Sequence, residues 1–213
     1  MDEIKFYKVN EQYGFFSNFS SYPIFINGEV WKTVEHYFQA SKFDSIEIRN
    51  KIKSLDSPIK AAIEGRDTKK SIREDWEMVK DEIMLNALYA KFLQHPDLKR
   101  ELLNTRDRLI IEDTTNDKYW GNGGNGSGKN KLGKLLMEVR RKVNSLSSDN
   151  SVVFPPWIAF PKVSQFDLFW RMGFGEEYLS QWSKYYLNLK DKEKEKYEKE
   201  FAPDSNWEGI YDE

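Results

Sequence analysis

The sequence predicts a mainly helical α+β protein, built from a small β-sheet or hairpin and many short helices, followed by a helical, Trp-rich C-terminal extension. Three observations carry that prediction. Capped segments with apolar residues at spacings of three and four dominate residues 34–146. Strand-like runs are short and few. Four of the seven tryptophans (Trp157, Trp170, Trp182, Trp207) lie beyond a Pro155-Pro156 break.

Residues 4–9 (Ile-Lys-Phe-Tyr-Lys-Val) read as a first strand. Residues 22–31 read as a hairpin, because Asn27-Gly28 between apolar runs supplies a type I′ turn. Thr33 caps a helix over Val34 to Phe43, a second helix covers residues 45–54, and Asp56-Ser57-Pro58 starts a third. The longest helix is expected from a Ser71 cap to about Gln94, with Trp76, Val79, Ile83, Leu88 and Phe92 on its apolar side. Pro96 opens a short helix to about Asn104, and Leu109-Ile110-Ile111 reads as another strand. A glycine-rich loop follows, then an amphipathic helix from near Asn130 that carries Leu132, Leu135, Leu136, Val139 and Val143. The spans divide into a domain at 1–146, a polar, Ser-rich linker at 147–156 and the extension at 157–213. The run Asp191-Lys192-Glu193-Lys194-Glu195-Lys196 reads as a solvated helix face. Fifty-seven residues barely suffice for a core, so the tryptophans of the extension are expected to dock on the first domain or on a partner.

Composition narrows the chemistry. The 213 residues are 39% hydrophobic and include 14 Phe and 11 Tyr, ample for a core. With no cysteine there is no disulfide framework, Cys-based zinc site or thiol nucleophile, and only His36 and His95 are available for a histidine metal site. No cofactor or metal is expected. The N-terminus shows no leader pattern and no stretch approaches the ~18 apolar residues of a membrane span, so a cytoplasmic protein without a membrane partner is expected. Residues 1–146 carry 25 Lys and Arg against 22 Asp and Glu, whereas residues 147–213 carry 8 against 13. That excess is too small for a general nucleic-acid binder and leaves room for a local basic cleft around a phosphorylated ligand.

The densest signal is Asn116-Asp117-Lys118-Tyr119-Trp120-Gly121-Asn122-Gly123-Gly124-Asn125-Gly126-Ser127-Gly128-Lys129-Asn130. Gly123 to Lys129 fits the start of a P-loop, G-x-x-x-x-G-K, yet Asn130 stands where a magnesium-binding Ser or Thr is required. Residues 112–122 also separate the strand from the first matching glycine. What remains is the chance of an anion cradle made by successive backbone N–H groups and a helix N-terminus, or an ordinary solvent loop. A second constellation lies on the helix from Val34, where Glu35, Gln39 and Lys42 follow an i, i+4, i+7 stripe. Spacing alone is compatible with a surface salt-bridge stripe. Asn18, flanked by Phe15, Phe16 and Phe19, fits either a turn or an aromatic-walled pocket.

Several segments in series carry a resemblance: Gly14-Phe15-Phe16-Ser17-Asn18-Phe19; Trp31-Lys32-Thr33-Val34-Glu35-His36-Tyr37-Phe38-Gln39-Ala40-Ser41-Lys42-Phe43; Ala61-Ala62-Ile63-Glu64-Gly65-Arg66-Asp67; Arg73-Glu74-Asp75-Trp76-Glu77; Asn116 to Gly121; and Leu132 to Met137. Together, over about residues 4–146, they resemble the NADAR domain family. The resemblance implies the fold of that family and an N-glycosidase. Its members hydrolyse ribosylamine phosphate intermediates of riboflavin synthesis or remove ADP-ribose from guanine in nucleic acid.

Such a reaction breaks a ribose C1–N bond through an oxocarbenium-like centre, which a carboxylate stabilises or an amine attacks. The matching positions imply Glu35 as the carboxylate and Lys42 as the amine or, if it stays charged, a contact to ribose or phosphate. Asn18 and Asp117 are expected on the ribose or base edge, Gln39 among the substrate-binding residues, and Trp76 or Trp120 stacked on the base. Arg66, Gly121, Gly123, Gly124, Gly126, Gly128 and Lys129 are expected on phosphate. The expected ligand is a phosphorylated N-riboside of the ADP-ribose type, with ADP-ribosylated nucleic acid as one form of substrate. A silent ADP-ribose-binding module is the alternative, since a pure binder does not need both Glu35 and Lys42. A scaffold presenting the extension is a third.

Overall fold

The computed structural model describes residues 3–212, so the outermost residues of the expected domain spans, 1, 2 and 213, lie outside it. Among the described residues the fold is mainly helical with two two-stranded sheets. Contacts divide the chain into two compact units that meet between Asn150 and Ser151. Among the described residues no helix is long and apolar enough to cross a membrane.

In the first unit β1 (Glu3–Phe6) pairs in parallel with β4 (Leu109–Glu112), Ile4 opposite Ile110 and Phe6 opposite Glu112. β1 is shorter than the expected 4–9, because the chain turns away after Phe6 through residues 7–10. The hairpin forms as expected. β2 (Ile24–Ile26) and β3 (Glu29–Trp31) join through Asn27 and Gly28, both at positive φ (54° and 81°), as a type I′ turn requires.

α1 (Val34–Ala40) starts at Thr33, whose hydroxyl accepts from the His36 N–H at 3.2 Å. It ends three residues before Phe43, where the expected helix stopped, as Ser41 turns its hydroxyl onto the Tyr37 carbonyl at 2.8 Å. α2 (Ile46–Ser54) and α3 (Pro58–Gly65) follow, capped by Ser45 and Ser57. α3 packs against α1 at Gly65, where a Cβ would meet the Gln39 Oε1 at 2.1 Å.

α4 (Trp76–Gln94) starts five residues beyond the expected Ser71 cap. Arg73 clamps Asp75 with two N–H···O contacts at 2.5 and 2.8 Å, and its own N–H donates to the distant Lys42 carbonyl at 2.9 Å. This leaves the preceding stretch as a connector. α5 (Pro96–Asn104) and α6 (Lys131–Leu146) complete the unit, α6 burying Leu132, Leu135, Leu136, Val139 and Val143. Lys91, in the last turn of α4, is fully buried. Its ammonium donates to the carbonyls of Phe15 (2.5 Å) and Ser17 (3.0 Å) and to the Ser20 hydroxyl (2.6 Å). α4 thereby pins the loop that carries Asn18.

The second unit holds α7 (Pro156–Ala159), α8 (Gly173–Leu187) and α9 (Asp191–Glu200) around an aromatic core. Trp157 packs on Trp182, Trp207 and Tyr211, and Trp170 on Trp207, so the four tryptophans find partners in one another. Three of their N–H groups are placed: Trp182 donates to the Tyr197 hydroxyl, Trp170 to the Ser164 carbonyl and Trp207 to the Val163 carbonyl, while the buried Trp157 Nε1 has no hydrogen-bond partner. Of the expected linker, residues 152–156 are buried in this unit. Tyr197 donates to the Val153 carbonyl at 2.7 Å and Tyr178 to that of Phe154 at 2.8 Å, so the strap is part of the core that aromatic side chains build here.

Candidate active site

A cleft of about 860 Å³ opens in the first unit, within the size range of small-molecule sites. Its walls include Asn18, Glu35, Gln39, Lys42, Arg66, Asp117 and Trp120. These residues come from the 14–20 loop, α1, the end of α3 and the loop after β4.

Glu35 sits in the first turn of α1 and is only 2% exposed. Its own N–H donates to the Asn18 carbonyl at 2.9 Å, while the Asn18 side-chain amide donates to Glu35 Oε2. The Gln39 amide donates to Oε1 at 2.6 Å. Each carboxylate oxygen is therefore aimed by a fixed amide. Burial pushes its pKa up to about 7, against the opposing pull of the Gln39 amide, the Arg66 and Lys42 charges and the Asn18 amide.

Lys42 lies just past the end of α1 and reaches back over the Phe38 and Trp76 rings, 5.8 and 5.7 Å from their centroids. Its ammonium donates to the Gly65 carbonyl at 3.2 Å. Burial lowers its pKa, Glu35 opposes that and Arg66 reinforces it. Glu64 pairs with Lys51 and Lys70, and Asp67 with Lys70. The acids beside Arg66 thus have other partners, and Arg66 stays at the cleft.

The loop after β4 folds upon itself. Asp117 accepts the N–H groups of Tyr119 and Trp120, both at 2.7 Å, and so sets Trp120 edge-on to Phe38 at 5.3 Å. Gly121 is required there, because a Cβ would lie 2.3 Å from the Thr114 Cγ2. Downstream, the N–H groups of Gly123, Gly124 and Gly128 donate to the Asp117 carbonyl, the Asn122 side chain and the Asn122 carbonyl. The Asn130 side chain is taken by Glu112 N–H and the Ile110 carbonyl.

The expected phosphate cradle therefore does not form at the cleft. Gly121, Gly123, Gly124, Gly126, Gly128 and Lys129 are not among its lining residues, and Lys129 lies over the Tyr119 ring at 4.9 Å. The physical reason is that the N–H groups of Gly123, Gly124, Ser127, Gly128 and Lys129 are already taken within the loop. Trp76 does not line the cleft either: it is buried against Phe38 at 5.0 Å, leaving the half-buried Trp120 as the tryptophan in the cleft wall.

The structure adds residues that sequence reading missed. Tyr7, Lys8 and Asn10 line the cleft because β1 ends early, and Glu112 lines it from the end of β4. One signal for Glu112 existed, since strand period places it on the same face as the fully buried Ile110. Burial, then the charges of Asp117 and Glu35, raise the Glu112 pKa to about 7. Among the described residues no group of three or more His, Asp or Glu is placed to hold a metal.

A buried, amide-oriented carboxylate beside a desolvated amine under an aromatic wall suits cleavage at a sugar carbon. The solution structure of the Escherichia coli protein YbiA matches the fold with a TM-score of 0.65 at 47% identity, covering 68% of this chain and 87% of that one. In sequence, the N-glycosidase YbiA of E. coli is 49% identical over 140 residues, 66% of this chain and 88% of its own length. An N-glycosidase of Nostoc punctiforme is 45% identical over 148 residues, 68% of this chain and 95% of its own. A Vibrio vulnificus protein named for riboflavin biosynthesis is 34% identical over 174 residues, 82% of this chain and 47% of its own. The chain is thus a hydrolase of the N-glycosidase class. Residues 5–144 match the NADAR domain, and the chain belongs to that family.

Proposed function

We propose that the protein hydrolyses the C1–N bond of a phosphorylated N-riboside bound in this cleft. The observation that carries the reading is Glu35: a nearly inaccessible carboxylate whose two oxygens are fixed by Asn18 and Gln39. Ionised, it stabilises the positive charge that develops at C1 as the base departs, and orients the water that replaces it. Trp120 offers a face to the base, and Arg66 with Lys42 supplies cations for phosphate.

Two substrates fit this chemistry: a ribosylaminopyrimidine phosphate of early riboflavin synthesis, favoured by the name of the Vibrio relative, and ADP-ribose carried on guanine. In a second reading Lys42 attacks C1 itself, which the lowering of its pKa by burial and Arg66 favours. Borohydride added during turnover separates the two: a lysine adduct on the peptide containing Lys42 marks amine attack, and an unmodified peptide marks direct hydrolysis.

Glu35→Gln is expected to lower base release about a hundredfold or more while ADP-ribose binding, followed by calorimetry, stays measurable. Lys42→Ala is expected to do likewise. Wild-type turnover in both variants overturns the mechanism and returns the cleft to a binding module.

A further inference from the structure

Glu35 and Glu112 share a cleft but not a situation. Both Glu35 oxygens already accept from protein amides. Glu112 is anchored by its backbone: its N–H donates to Asn130 Oδ1 at 3.0 Å, and its carbonyl accepts from Asn122 at 2.9 Å and Thr114 at 3.2 Å. Its carboxylate oxygen Oε2 is buried with no hydrogen-bond partner. A buried acceptor left unpaired is costly, and a carboxylate more so than a neutral group. The two groups whose charges act on it most, Asp117 and Glu35, are themselves carboxylates and offer no donor when ionised. A hydroxyl on what enters the cleft is able to supply that donor.

Within a cleft that cleaves N-ribosides, the ligand's own donors near C1 are the ribose hydroxyls. We propose that Glu112 is a substrate-contacting residue that accepts the vicinal hydroxyls of a ribose held against Glu35, so that the cleft selects ribosides over 2-deoxyribosides. This rests on the N-riboside reading above and extends it from the reacting bond to the sugar. Glu35, already held by amides, serves the reacting carbon. Glu112, unpaired until the ligand arrives, serves recognition.

The test measures binding of ribose 5-phosphate and 2-deoxyribose 5-phosphate by calorimetry to wild type, Glu112→Ala and Glu112→Gln. Wild type is expected to prefer the ribose form at least about tenfold, the range of one hydrogen bond to a charged group. Glu112→Ala is expected to reduce that preference to about twofold or less by weakening the ribose form alone. Glu112→Gln, which keeps the shape and an acceptor but loses the charge, is expected to fall between. A wild type without preference, or variants that keep the full preference, overturn the proposal; if Glu112→Ala does not fold, Glu112→Gln decides by the same ratio. Base release by wild type is assayed in parallel on the ribosylaminopyrimidine phosphate. Base release without ribose preference removes this inference and leaves the N-glycosidase reading. Ribose preference without base release from that substrate keeps this inference and directs the N-glycosidase assay to ADP-ribose carried on guanine.

Discussion

Glu35 is held by three separate stretches of chain: its own helix through Gln39, the 14–20 loop through Asn18, and α3 behind Gln39 at Gly65. Gly65→Ala, whose Cβ would fall on the Gln39 side chain, is expected to reduce kcat by roughly ten- to a hundredfold with the fold retained by circular dichroism. Because burial raises the Glu35 pKa to about 7, kcat/KM is expected to climb as pH rises through 7, where the carboxylate ionises; a profile that falls there makes Glu35 an acid instead. Stability runs the other way. A carboxyl whose folded pKa is raised favours the native state at low pH, and that contribution is lost as pH rises through about 7. The melting temperature of wild type is therefore expected to fall relative to Glu35→Gln between pH 5 and 9. The stripe Glu35, Gln39, Lys42 was legible from helical spacing, although Lys42 stands beyond the helix end. Glu112 was not, for a single acid closing a four-residue strand leaves no periodic pattern beyond its alignment with Ile110.

At the level of elements, local chemistry was readable wherever the turn or cap residues act within a few positions. Asn27-Gly28, Thr33, Ser57-Pro58 and Pro96 mark their elements correctly. The misplaced start of α4 and the parallel pairing of β1 with β4 depend on contacts distant in sequence, Arg73 to Lys42 and Ile4 to Ile110. The glycine-rich loop misled for the same reason. Its composition permits an anion cradle, and only the closure of its N–H groups on Asp117 and Asn122 shows that it acts as a brace for Trp120. Lys91 is a second long-range brace, holding the Asn18 loop from α4. Lys91→Met keeps the length and removes the donors, so it is expected to cost about 1–3 kcal/mol in urea unfolding and to weaken turnover through Asn18. An unchanged midpoint and unchanged turnover would show that the loop holds without it.

In the whole molecule, every residue that lines the cleft precedes Asn150, and the four tryptophans of the second unit pack within that unit. A chain ended after Asn150 is accordingly expected to fold and to keep base release within a few-fold of the full chain; loss of activity would assign the second unit a part in catalysis. The central claim is that the cleft breaks a C1–N bond to a phosphorylated ribose. Its most direct measurement incubates the full-length protein with the ribosylaminopyrimidine phosphate and with ADP-ribosylated guanine DNA, and follows the free base by mass spectrometry beside the Glu35→Gln variant. Release of base from at least one substrate, lost in the variant, is the predicted result. No release from either, or equal release by the variant, contradicts it.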